Sequence, residues 1–126
     1  MATIRDSLIA EIKKIVGRTV HVVPYQDSTD TLSAKTIIVK QERIQRLPEA
    51  PSGQLRIDFT ITFVSPATDP AKAEGDLDKW VPEVLADFTM SWFSWTDATK
   101  VVFNEQNLGY DVSAFVLTTL RNDKKE

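Results

Sequence analysis

The sequence predicts an α+β domain: a long β-hairpin within an antiparallel or mixed sheet, two helices packed on one face, and the order α-β-β-β-α-β-β. Three observations carry this prediction. Leu55, Ile57, Phe59, Ile61 and Phe63 alternate with Arg56, Asp58, Thr60 and Thr62, the period-2 signature of a strand with one buried face. Two other segments repeat apolar residues at helical spacing. The chain has 126 residues, of which 42% are hydrophobic, enough for one continuous core and too apolar for disorder. One domain over 1–120 and a polar tail over 121–126 are expected.

The first helix is expected over 3–16. Ile4, Leu8, Ile12 and Ile15 form its apolar stripe, with Ile9 and Val16 widening it. Thr3 suits the N-cap, Asp6 complements the positive helix end, and Gly17 suits the exit. A short strand follows over Thr19-Val20-His21-Val22-Val23, stopped by Pro24. Residues 25–34 are rich in Ser, Thr and Asp without periodicity, the mark of a long loop.

The stretch 35–47 is β-rich, and Pro48, Pro51 and Gly53 enforce a turn before the alternating strand. An eleven-residue strand spans about 36 Å, so the turn end of this hairpin is expected to project beyond the core. After Ser65-Pro66, Asp69-Pro70 reads as an N-cap and a first helical residue. A helix kinked at Pro82 is expected over 70–94, carrying Ala73, Leu77, Trp80, Val81, Val84, Leu85, Phe88 and Trp92. Phe88, Trp92 and Trp95 would share one of its faces, with Met90 and Phe93 on another. Strands over 99–103 and 110–120 complete the order.

Composition narrows the chemistry. Lys and Arg number 15 against 18 Asp and Glu, a net charge of −3, which disfavours a dedicated nucleic-acid binder. There is no cysteine, hence no disulfide, thiolate metal site or cysteine nucleophile. The single histidine, His21, leaves little for imidazole chemistry. The four glycines are isolated, so no phosphate-binding loop exists, and hydrolase and zinc-protease motifs are missing. The pairs Glu74/Asp78 and Glu83/Asp87 lie four apart on a helix, where two carboxylates without a third ligand make a poor cation site and a good solvated face. No apolar signal core or spanning segment is present, so a cytoplasmic site of synthesis is expected.

Charge is unevenly spread. Residues 69–87 hold six acids and two bases, a net of −4, whereas residues 35–56 hold five bases and two acids, a net of +3. Beside plain solvation stands a sharper reading: head-to-tail association, with the basic hairpin of one copy against the acidic helix of the next. Such a heterologous contact closes into a ring when its rotation permits.

Several local strings, in this order, carry a resemblance. They are Met1-Ala2-Thr3-Ile4-Arg5, Val22-Val23-Pro24-Tyr25-Gln26, Arg46-Leu47-Pro48-Glu49-Ala50-Pro51, Asp69-Pro70-Ala71-Lys72-Ala73-Glu74, Trp95-Thr96-Asp97-Ala98-Thr99-Lys100-Val101 and Asn107-Leu108-Gly109-Tyr110-Asp111-Val112. Through them nearly the whole chain resembles the tail terminator proteins of long-tailed bacteriophages, particularly those infecting actinobacteria. None is a catalytic signature, and Pro82 departs from the family's expected helix.

The resemblance implies a non-enzymatic virion protein of the tail and neck, made in the host cytoplasm, with no cofactor, metal or membrane partner. It implies a homohexameric ring on the head-proximal end of the tail tube. That ring stops polymerisation of the major tail tube protein, offers a surface to the head-completion or connector protein, and lets genomic DNA pass without specific binding. Another neck ring component, a head-closure or tail-completion protein, is the alternative. A small hydrolase using the acidic helix and a host-directed binding module are readings from other classes. Candidate subunit, tube or connector contacts are Gln26, Asp27 and Asp30 in the loop, Lys40, Arg43, Arg46, Glu49 and Pro51 in the hairpin, and Asp76 and Asp78 in the acidic helix. The acidic segment lines the lumen or faces a neighbour, and the sequence leaves both open.

Overall fold

The computed structural model describes residues 3–23, 34–46, 54–89, 91–103 and 107–119. Its elements are α1 (Ile4–Val16), β1 (His21–Val23), β2 (Thr36–Arg46), β3 (Gln54–Val64), α2 (Pro70–Ala86), β4 (Phe93–Val102) and β5 (Leu108–Thr119). The α+β class and the expected order hold. The loop expected over 25–34 (Ala34 apart), the turn over 48–53 and the tail over 121–126 lie outside the described residues.

Helix α1 starts where its sequence provides partners for orphan amides. Thr3 Oγ1 accepts from the Asp6 amide at 3.0 Å, and the Asp6 carboxylate accepts from the Thr3 amide at 3.1 Å, a reciprocal capping box. The helix ends at Gly17, whose φ of +78° is costly for a residue with a Cβ. Leu8, Ile9 and Ile12 supply its buried stripe.

The five strands form one mixed sheet in the order β1-β2-β3-β5-β4. Strand β1 runs parallel to β2, and every other neighbour is antiparallel. Register aligns Ile37 with Phe63, Val39 with Ile61, and Phe59 with Ala114, so their side chains share one face. That face joins Leu8 and Ile12 of α1 and Leu77, Trp80, Val81 and Val84 of α2 in a single buried cluster. Both helices therefore cover the same side of the sheet. Trp80 anchors α2 by an edge-to-face contact with Phe63 at 5.1 Å, and the Lys35 ammonium lies 5.1 Å from the Trp80 ring.

The end of the β3–β5 ladder requires a glycine. A Cβ built on Gly109 would lie 2.5 Å from the carbonyl oxygen of Phe63, so β3 and β5 approach too closely there for any side chain. Nearby, Asn107 is buried and donates through Nδ2 to the Ser65 carbonyl at 2.9 Å, holding the start of β5 to the end of β3.

Two expectations need correction. The second helix ends at Ala86 instead of continuing to 94, and β4 begins at Phe93. The Asp87 amide closes the helix by donating to the Val84 and Leu85 carbonyls. Beyond it, Phe93 and Trp95 alternate with Ser94 and Thr96, and this aromatic period-2 run takes the strand conformation. Phe93 packs edge to face with both Phe88 and Trp92 across that junction, so these rings do not mark faces of a helix. Pro82, by contrast, sits inside α2 without splitting it. Lacking an amide hydrogen, it leaves the Asp78 carbonyl without its helical donor, a loss tolerable on the exposed side where Pro82 lies.

Each sheet edge has its own character. Strand β1 has three residues, and β4 has ten with a bulge between Trp95 and Asp97. Strand β2 has a second bulge between Gln41 and Arg43. Strict alternation from Ile37 would turn Arg43 toward the helices and Ile44 away from them. The extra residue inverts this, pairing Arg43 with Asp58 and Ile44 with Ile57.

Candidate functional site

Two polar clusters and an apolar groove dominate the described surface. The first cluster lies on the sheet face that the helices leave uncovered. Asp58, in β3, receives Arg56 Nε at 2.8 Å, Arg43 Nε at 3.0 Å and Gln45 Nε2 at 3.1 Å. Arg56 and Asp58 are two apart and so share a face, and the β2 bulge brings Arg43 to the same place. The Arg56 guanidinium also lies 4.1 Å from the centre of the Phe115 ring on β5. Partial burial pushes the Asp58 carboxyl up, but hydrogen bonds from Arg56, Arg43 and Gln45 outweigh it and hold the group below its ordinary range. A shallow cleft of about 390 Å³ runs beside this cluster, lined in part by Arg56, Thr60, Thr96 and Phe115.

The second cluster joins α2 to the β4–β5 end of the sheet, on the helix-covered face. Asp78 Oδ1 accepts from Tyr110 Oη and Lys100 Nζ, each at 3.0 Å, and Glu74 Oε2 lies 3.8 Å from the same ammonium. Helical spacing puts Glu74 and Asp78 one turn apart on one face, and register puts Lys100 opposite Tyr110. The hydrogen bonds from Lys100 and Tyr110 lower the Asp78 carboxyl, and the bond to Asp78 raises Lys100. Desolvation, then the bond to Asp78, raises Tyr110. These directions favour the charged carboxylates and ammonium and the neutral phenol, the states in which the hydrogen bonds form. Among the described residues, no three His, Asp or Glu side chains converge to hold a metal ion. His21 lies exposed on β1.

The groove separates the C-terminal half of α2 from β4. It encloses about 480 Å³ between Val81, Pro82, Leu85 and Ala86 on one wall and Trp95, Ala98 and Tyr110 on the other. Trp95 remains 41% exposed there.

The residues expected to make contacts are scattered across these surfaces. Lys40 is half-buried in β2 on the side facing away from the helices, and Arg43 is exposed but paired with Asp58. Arg46 is exposed at the end of β2, and Asp76 is exposed on α2. Asp78 is exposed and held by Lys100 and Tyr110. Gln26, Asp27, Asp30, Glu49 and Pro51 lie outside the described residues. The two residues at the centre of the expected charge contact, Arg43 and Asp78, thus already have partners within their own chain. Asp58, Lys100 and Tyr110 went unnoticed as those partners. The Arg56-x-Asp58 spacing was a readable signal for one pair, whereas Lys100 and Asp78 meet only through tertiary packing. Among the described residues, no helix is long and apolar enough to cross a membrane. No family model matches this chain, and no curated protein matches it.

Proposed function

We propose that this protein is a non-enzymatic ring subunit of the tail terminator type: a hexameric virion protein that caps the head-proximal end of a phage tail tube and offers a joining surface to the head. Family resemblance gives the reading its content. The structural observation supporting it is strand β2 of the β2–β3 hairpin, which presents Ile44 to solvent at 56% exposure near its far end. An exposed aliphatic side chain on a paired edge strand suits a docking element better than a catalytic site. In this mechanism one ring face copies the tube's subunit-addition surface and the other withholds it, so binding free energy alone ends growth.

Adding the protein to polymerising tail-tube subunits and measuring tube length tests the proposal. Tubes that stop short, with rings at one end, are the expected outcome. Unchanged growth would sink the capping function, and unchanged growth together with restored head joining would assign the protein to another neck ring.

A further inference from the structure

We infer that the apolar groove between α2 and β4 receives the far end of strand β2 of a second copy, with Ile44 seated against Pro82 and Trp95 and Arg46 facing Asp78. The inference deepens the ring-subunit reading and rests on it for closure into a ring; it names the surfaces that join neighbours.

Both halves of this contact are exposed on one chain and unlike each other. Ile44 and Arg46 share the helix-side face of β2, because the bulge pairs Ile44 with Ile57 and Arg46 with Leu55. Pairing of β1 with β2 stops at Ile38, so β2 is the sheet edge beyond it, and Ile44 stays 56% exposed while Ile57 beside it is 6% exposed. The groove is the complementary shape: a concave apolar channel with Trp95 on one wall and Pro82 and Ala86 on the other.

Charge and spacing set the orientation. Asp78, Pro82 and Ala86 follow at four-residue intervals along one stripe of α2, so Asp78 marks one end of the groove, where Tyr110 binds it. There Glu74 and Asp78 share the single Lys100 ammonium, leaving a net negative end. Arg46 is exposed, and no ion pair to it appears among the described residues. Ile44 and Arg46 lie about 7 Å apart along a strand, and Pro82 and Asp78 about 6 Å apart along a helix. One placement therefore satisfies the apolar and the charged contact together. A surface that fits a different surface of the same chain is heterologous, and repetition makes a ring or a filament instead of a two-fold dimer.

The absence of native cysteine gives a clean test. A variant carrying both Ile44→Cys and Ala86→Cys, oxidised at high protein concentration, is expected to give a denaturing-gel ladder beyond the dimer. Ile44→Cys mixed with Ala86→Cys should stop at the dimer. Both positions are exposed, and a thermal melt matching the parent verifies folding. A natively melting double variant that stays monomeric, or that stops at a dimer formed by Ile44→Cys with itself, overturns the inference. As a second measurement, Arg46→Glu should weaken self-association at least tenfold in sedimentation, with the loss shrinking in high salt; an unchanged constant counts against the orientation. Tube growth with the parent protein separates the two proposals. Shortened tubes without a ladder remove this interface and leave capping, whereas a ladder with normal tube growth leaves the interface and removes capping.

Discussion

The two halves of strand β2 belong to one ladder with β3, their alternation reset by the bulge, yet their helix-side residues meet opposite environments. In the half beneath the helices, Ile37, Ile61 and Phe63 are fully buried, whereas in the far half Ile44 faces solvent from the same side of the sheet. Alternation specifies which side of a strand is apolar. It does not specify how far the covering layer extends. Ile57, Val116 and Phe93 in the same cross-strand row stay buried, so cover is lost at the β2 edge of that row, and an aliphatic residue there contributes little to folding and is free to contribute to association.

The largest effect that could break this comparison is expected at Phe63, where truncation to Ala removes a ring packed on Trp80. A loss of about 3–5 kcal/mol is expected, a large share of the roughly 5–15 kcal/mol of a typical domain. Chemical denaturation would measure it, and a loss near zero would show that the covered half is no core. Gly109→Ala should follow, since its methyl would meet the Phe63 carbonyl oxygen and force β3 and β5 apart. About 1–3 kcal/mol is expected, and a neutral result in the same titration would mean that the strands yield easily.

Asp58→Asn should cost about 1–2 kcal/mol at neutral pH, because it removes the charge on which Arg56 and Arg43 converge. The Asp58 side chain is 16% exposed. The folded Asp58 carboxyl titrates below its unfolded value, so its contribution is fully present above about pH 4 and fades as pH falls through the lower, folded value. Melting curves of parent and variant should therefore converge in acid. A gap independent of pH would show that the carboxylate charge is not what holds the two arginines.

The smallest effect on folding is expected at the far end of β2. Ile44→Thr should change monomer stability by less than about 0.5 kcal/mol while reducing self-association in sedimentation. If it destabilised the monomer as Phe63→Ala does, the two halves would not differ and the hairpin end would belong to the core.

Legibility in the sequence followed the range of the interaction. The capping box of Thr3 and Asp6, the exit at Gly17, the Asp69-Pro70 helix start and the alternating run of β3 all depend on residues within a few positions, and each was readable directly. The end of α2 was misread because Phe88, Trp92 and Trp95 satisfy a helical period while Phe93 and Trp95 satisfy a strand period. The β5 ladder, which aligns Phe93 with Val116 and Trp95 with Ala114, decided between them. The candidate contact residues were readable as charges but not as partners.

The sequence by itself determined the α+β class, the order of elements, the face that β3 buries and the strongly uneven charge. These follow from periodicity, capping chemistry and composition, which act along the chain. Only the tertiary structure decided that a bulge turns Arg43 onto Asp58 and Ile44 to the helix side, that Lys100 and Tyr110 hold Asp78, and that α2 and β4 leave a groove beside Trp95. The physical reason is register. Residues such as Thr62 and Asp111, hydrogen-bonded at 2.8 Å but 49 positions apart, meet only after the whole sheet has chosen its pairing, and one inserted residue reassigns every side chain beyond it.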